Sequence, residues 1–293
     1  MIMDPIRCSI EIESKETPNQ SCTYSLPTII GNWENARALE EAHMALISYK
    51  KVNCQLLSSR TRAMLRNVLA PVALSPCTGG IEYNKTYQLY SPSQPSQITS
   101  TYPYEKKGLY LSGMVGEANI DKGTGLMHGC PLTASSESMP CRRNTFIFRT
   151  EIQNTNRMYY GDDLFIQINA DSATPLYVQA ENHTINSFGK SLQLRLSQQR
   201  DVYTHFKILH AHPKYRTDSI GMVITPSSNV IIRHVASGQN LSANASSWIT
   251  TFFGVECEAS CRTYRNSNRI DTAENMWQII GHIEKTKYST MNI

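Results

Sequence analysis

No run of apolar residues in this sequence approaches the roughly 18 that a membrane-spanning helix requires. The amino terminus, MIMDPIRCSIEIESKETPNQ, carries Asp4 and three glutamates without a continuous apolar stretch, so it does not read as a secretory signal, and a cytosolic protein is expected. The usual catalytic and cofactor signatures are missing too: GxGxxG, the GxxxxGK phosphate loop, HExxH and GxSxG do not occur, which excludes the common dinucleotide, nucleotide, zinc-hydrolase and serine-hydrolase readings. Cysteine is present at Cys8, Cys22, Cys54, Cys77, Cys130, Cys141, Cys257 and Cys261, but scattered. Without a signal peptide these read as thiols. Cys257-x-x-x-Cys261 is the one tight pair and lacks the second pair a zinc site needs, so two small strand residues are expected there. Charged residues make up only 18% of the chain and the net charge is +4, so nothing in the whole-chain balance calls for nucleic acid.

What the sequence does contain is a repeat. In YYGDDLFIQINADSATPLYVQAEN, Tyr159 to Asn182, two alternating apolar runs (Leu164, Ile166 and Ile168, then Leu176 and Val178) flank a polar stretch, the pattern of a β-hairpin. SNVIIRHVASGQNLSAN, Ser228 to Asn244, has the same grammar around a Ser237-Gly238 turn. KTYQLYSPS (Lys85 to Ser93) and GLYLSG (Gly108 to Gly113) fit the same two strands, separated by a longer Ser/Pro-rich insertion. Behind each hairpin comes an aromatic residue, one intervening residue and an apolar residue: NTFIF (Asn144 to Phe148), THFKI (Thr204 to Ile208) and NMWQI (Asn275 to Ile279). Three units, each unable to bury its own apolar face, imply closure around a shared core, for which a β-trefoil is the natural candidate. A β-sandwich of similar strand count gives much the same alternation.

The residues ahead of this region differ in kind. ENARALEEAHMALISYKKVNCQLLSSRTRAMLRNVLAP, Glu34 to Pro71, is rich in helix formers, with Asn32 or Asn35 able to cap its start and Pro71 closing its end. Leu39, Ala42, Leu46 and Tyr49 follow helical spacing, as do Leu57, Met64, Leu65 and Val68 less regularly, and Ser58-Ser59 offers a break. From Ala42 to Ile81 there is no acidic residue, while Lys50, Lys51, Arg60, Arg62 and Arg66 are basic. This predicts a cationic rod for an acidic polymer, against the plainer reading of a solvated helix face. Gly31, Asn32 and Trp33 are expected to make a tight turn, with Trp33 either anchoring the helix on the β domain or packing on a partner. The division expected is an extension over 1–30, a helical arm over 31–75 and the β domain over 76–293.

His210 and His212 can share a strand face and are a candidate metal or catalytic pair, though an exposed strand end before Pro213 is the plainer reading. Asp162 and Asp163 after Gly161 read as turn residues, not an acid/base pair. No active site, cofactor or metal is expected. Sequons stand at Asn84, Asn182 and Asn240, which would matter in a secreted protein.

IGNW followed by a leucine- and glutamate-rich helix, then RNTFIF, YYGDDLFIQI, PLYVQAENHT, TTFFGVECEASCRTY and MWQIIG, resembles the cilia- and flagella-associated protein 161 family from about Ile30 to Gly281. The departures are the first 29 residues and the insertion from Ser91 to Tyr104. VIIRHVASGQNLSAN is also similar to MIR-type trefoil repeats. The resemblance implies a non-enzymatic microtubule inner protein on the luminal wall of the A-tubule of ciliary doublets, touching tubulin and neighbouring inner proteins, with no nucleic acid, membrane or small-molecule substrate as partner. Arg60, Arg62 and Arg66 are the residues expected to contact tubulin or a neighbour, and Gly31, Asn32 and Trp33 to fix the exit angle of the arm. The alternative is a MIR-like glycan-binding module of the secretory pathway, which would use the sequons and pair the cysteines.

Overall fold

Strands form where the apolar residues alternate and helices where helix formers dominate. The computed structural model describes residues 26–77, 79–92, 108–116, 119, 125–151, 156–181 and 191–282. Two helices, α1 (Leu26–Val52) and α2 (Leu57–Val68), precede twelve strands. These are β1 (Thr86–Ser91), β2 (Leu109–Gly113), β3 (Leu132–Ser135), β4 (Phe146–Arg149), β5 (Asp163–Ile168), β6 (Leu176–Ala180), β7 (Leu192–Ser197), β8 (His205–His210), β9 (Asn229–His234), β10 (Leu241–Thr251), β11 (Gly254–Cys261) and β12 (Trp277–Ile280). The protein is thus mainly β with helices ahead of the strands, as expected. The chain splits into two compact units between Leu56 and Leu57, inside the segment 31–75 that the sequence suggests is one arm.

All twelve strands belong to one sheet, and its pairing repeats every four strands. The first strand of each repeat pairs with the fourth: β1 with β4, β5 with β8 and β9 with β12. Tyr87 then faces Phe146, Leu164 faces Phe206 and Val230 faces Trp277. Each fourth strand also pairs with the first strand of the next repeat, so β1, β4, β5, β8, β9 and β12 form a ring. The second and third strands make hairpins, and β11 joins both β3 and β7. Followed through the hairpins, the path closes over ten strands. A closed single sheet is not two facing sheets, so the sandwich alternative does not form.

Inward positions alternate as the sequence pattern requires. Tyr87 and Leu89, Leu164, Ile166 and Ile168, Val230 and Ile232 are all buried in one core with Phe146, Phe148, Phe206, Ile208, Trp277 and Ile279 from the fourth strands. Two devices recur that hydrophobic patterning does not announce. Three residues before the first inward residue of each repeat, the backbone is left-handed: Asn84 has φ 61°, Gly161 φ 94° and Ser227 φ 57°. In each case the amide donates to a carbonyl of the fourth strand of the same repeat, at Phe148 (3.0 Å), Ile208 (2.9 Å) or Ile279 (3.1 Å). Two residues before each fourth-strand aromatic lies a fully buried polar residue, Asn144, Thr204 or Asn275. The Asn275 Nδ2 donates to the carbonyls of Leu241 (3.1 Å) and Arg262 (2.7 Å), while its Oδ1 accepts from the Tyr264 amide at 2.6 Å. The Asn144 and Thr204 side chains close their own preceding loops in the same manner.

The helical region departs from expectation in three ways. Gly31, Asn32 and Trp33 lie inside α1 and make no turn, and neither Asn32 nor Asn35 caps the helix, which is already formed at Leu26. One internal glycine costs about 1 kcal/mol, too little to stop a helix of this length. The break falls at Cys54 (φ 54°), before Ser58-Ser59. There the Gln55 amide reaches the Lys50 carbonyl at 2.7 Å and the Cys54 amide reaches Lys51 at 3.3 Å, a Schellman closure with cysteine where glycine is usual. Third, α2 is part of the β unit: Met64 and Val68 are buried in its core, and the carbonyls of Val68 and Ala70 accept from the amides of Arg143 and Arg142. Residues 1–25, most of the Ser91 to Tyr104 insertion, Cys8, Cys22 and the Asn182 sequon lie outside the described residues.

Candidate interaction surfaces

The residues singled out from sequence fall in different units. In α1 every described side chain from Asn32 to Val52 is exposed. Trp33 is 64% exposed, with the Arg37 guanidinium 5.9 Å from its ring centroid and Arg37 paired in turn with Glu41 at 3.0 Å. Leu39, Met44, Leu46, Ile47, Tyr49 and Val52 are exposed as well, and Lys50 and Lys51 occupy the last turn, where they complement the helix dipole. In α2, Arg62 and Arg66 are one turn apart and exposed, on the side opposite the buried Met64 and Val68, while Arg60 is half-buried.

The β unit holds two arrangements that sequence reasoning missed. Arg143 and Glu256 are both 1% exposed and joined Nη2 to Oε1 at 2.5 Å. Thr133 donates to the other Glu256 oxygen at 2.7 Å, Arg143 Nε donates to the Gly113 carbonyl at 3.1 Å, and Phe253 covers the guanidinium at 3.7 Å. This pair ties the first repeat to the third. The second is an open polar cleft of about 540 Å³ on which Asn84, Arg149, Gln167, Tyr177 and Arg200 converge. No spacing rule unites residues from five different segments, so nothing short of the fold reveals it.

The candidate chemistry from the sequence resolves into local structure. His210 Nδ1 accepts from the His212 amide at 3.1 Å and His212 Nδ1 from the Lys214 amide at 3.2 Å, with Tyr215 packed against both rings. Asp162 accepts from the Tyr159 amide (3.1 Å) and the Tyr83 hydroxyl (2.9 Å), which makes it a turn residue. Among the described residues no group of three or more His, Cys, Asp or Glu side chains could hold a metal ion. The six described cysteines are unpaired, and Cys257 and Cys261 are buried strand residues of β11. Burial raises the Cys257 thiol to about 12 and pushes Cys261 up further. Asn240 is fully buried and donates to Asp271 at 3.0 Å, so this sequon is closed to a glycan in the folded protein.

These features define a mainly β protein that presents apolar and cationic side chains on helices. A description of the cilia- and flagella-associated protein 161-like domain matches residues 189–282. The chain is 26% identical to cilia- and flagella-associated protein 161 of Bos taurus over 89% of its own length and 83% of that protein. It is 24% identical to the Mus musculus protein, over 89% of each. The chain is thus similar to cilia- and flagella-associated protein 161 along nearly its whole length. Among solved structures, the SDF2-like protein from Arabidopsis thaliana matches 69% of this chain and 94% of its own, with a TM-score of 0.46 and 13% identity.

Proposed function

We propose that the chain is a structural component of cilia and flagella: a microtubule inner protein on the luminal wall of the A-tubule of doublet microtubules, touching tubulin and neighbouring inner proteins and stabilising the axoneme. The observation that carries this reading is the similarity to cilia- and flagella-associated protein 161 over 89% of the chain. In this reading the protein is not an enzyme. The closed β unit is a β-trefoil, a reading supported by the ring of first and fourth strands and by the three matched turns. The exposed apolar residues of α1, with Trp33 among them, and the cationic edge of α2 at Arg62 and Arg66, flanked by Arg60, are the contacts to the lattice. Each is weak alone. Repeated along a filament, such contacts add through effective concentration, and binding to the assembled state stabilises it by mass action.

The test is electron cryo-microscopy of doublets from cells with and without the gene. Density of this fold inside the A-tubule that disappears in the null supports the reading; identical doublets refute it. Charge reversal by Arg62→Glu with Arg66→Glu should release protein from stripped axonemes at moderate salt, and unchanged retention removes these arginines from the interface.

A further inference from the structure

The cleft between the first and second repeats has a charge pattern that the structural reading does not use. Arg149 is held in place from two sides: its Nε donates to Gln167 Oε1 at 3.0 Å and its Nη1 to Asn84 Oδ1 at 2.5 Å. Arg200 lies over the rings of Phe165 (5.2 Å) and Tyr177 (4.8 Å), and its Nη2 donates to the Tyr177 hydroxyl at 2.7 Å. Among the described residues neither guanidinium is paired with a carboxylate, and none that line the cleft is Asp or Glu. Three acids of the flanking segments are committed elsewhere, while Glu151, next to Thr150, is exposed to solvent. Asp162 accepts from Tyr83 and Tyr159, Asp163 pairs with Lys207 at 3.4 Å, and Asp201 accepts from the Gln179 side chain and the Tyr203 amide.

We propose that this cleft binds an acidic peptide segment of a partner protein, with carboxylates seated on Arg149 and Arg200. Planar guanidinium groups held by neutral amides and by stacking keep most of their N–H donors available, and such donors match carboxylates in bidentate fashion. Fixing both arginines beforehand lowers the entropy cost of binding. Asn156 and Gln167, also in the lining, offer amides to a peptide backbone. A neutral sugar is a poorer match, because the Tyr177 face it would stack on is occupied by Arg200. The inference stands on the cleft alone and does not depend on the axonemal reading.

Binding is measured on the full chain by fluorescence anisotropy of a labelled octaglutamate peptide at low salt, with octaglutamine and inorganic phosphate as comparisons. Octaglutamate should bind and octaglutamine should not, and affinity should fall as salt rises. Arg149→Gln and Arg200→Gln should each weaken binding about tenfold. Lys214→Gln with Arg262→Gln, at exposed cations outside the cleft lining, should leave it unchanged, and all variants should melt with the parent. Equal loss in the Lys214/Arg262 variant means diffuse charge attraction and overturns the proposal. So does binding that survives both cleft substitutions, or displacement of the peptide by equimolar phosphate, which would make this a small-anion site. Failure of any of these leaves the question of axonemal residence to the microscopy.

Discussion

In α1 every described side chain faces solvent; in the β unit even an arginine and a glutamate are buried against each other. The two regions are held together by different physics. The β unit closes its ladder on itself and satisfies its buried polar groups by loop-closing asparagines and threonines, so its stability is tertiary. The α1 helix relies on propensity, one ion pair and a Schellman end, which make a free helix only marginally stable in water. A helix that exposes Trp33, Leu39, Leu46 and Tyr49 gains most by burying them on something else.

That contrast is broken most severely from inside the β unit. Glu256→Ala strands the Arg143 charge and should cost about 3–5 kcal/mol in chemical denaturation, while leaving α1 intact. Trp277→Ala, which also abandons the 3.0 Å bond from its indole nitrogen to the Leu241 carbonyl, should cost a similar 3–5 kcal/mol. Asn275→Ala removes three loop-closing bonds and should cost about 2 kcal/mol, read as a lower denaturant midpoint with an unchanged slope. Alkaline titration separates the regions again. Burial holds the Cys257 thiol at about 12 against an ordinary value near 9, and raises the Tyr87 phenol to about 12. Native thiol and phenol therefore keep protons that the unfolded chain gives up, so β-unit stability is full below about pH 9 and falls as pH climbs towards 12. A melting temperature flat from pH 8 to 11 would contradict this. The smallest effects are gains: Ser227→Gly relieves a left-handed residue and should stabilise the β unit by about 1 kcal/mol, whereas Cys54→Gly should raise helicity without moving the β-unit melt.

Much of the fold is legible in the sequence because it rests on periodicity. Leu164, Ile166 and Ile168 alternate, Phe146, Phe206 and Trp277 recur, and both patterns report which face meets the core. The third strand of the first repeat, β3, is harder to see, since Leu132–Ser135 is short and fully buried and has no alternation to read. The end of α1 also escapes sequence rules. Its C-terminal turn uses cysteine in place of glycine, and Gly31, which resembles a stop signal, is absorbed into the helix. The Arg149/Arg200 cleft is illegible for a different reason: its walls come from two repeats and meet only when the ring closes.

The most direct test of the account is retention of the full chain on detergent-stripped, salt-washed doublets, comparing the parent with a Trp33→Gln, Leu39→Gln, Leu46→Gln, Tyr49→Gln variant. Melting temperatures should be equal, with the parent held until the doublets dissolve and the variant released into the wash. A variant retained as firmly as the parent, with α1 still helical, would contradict the assignment of α1 to the lattice contact.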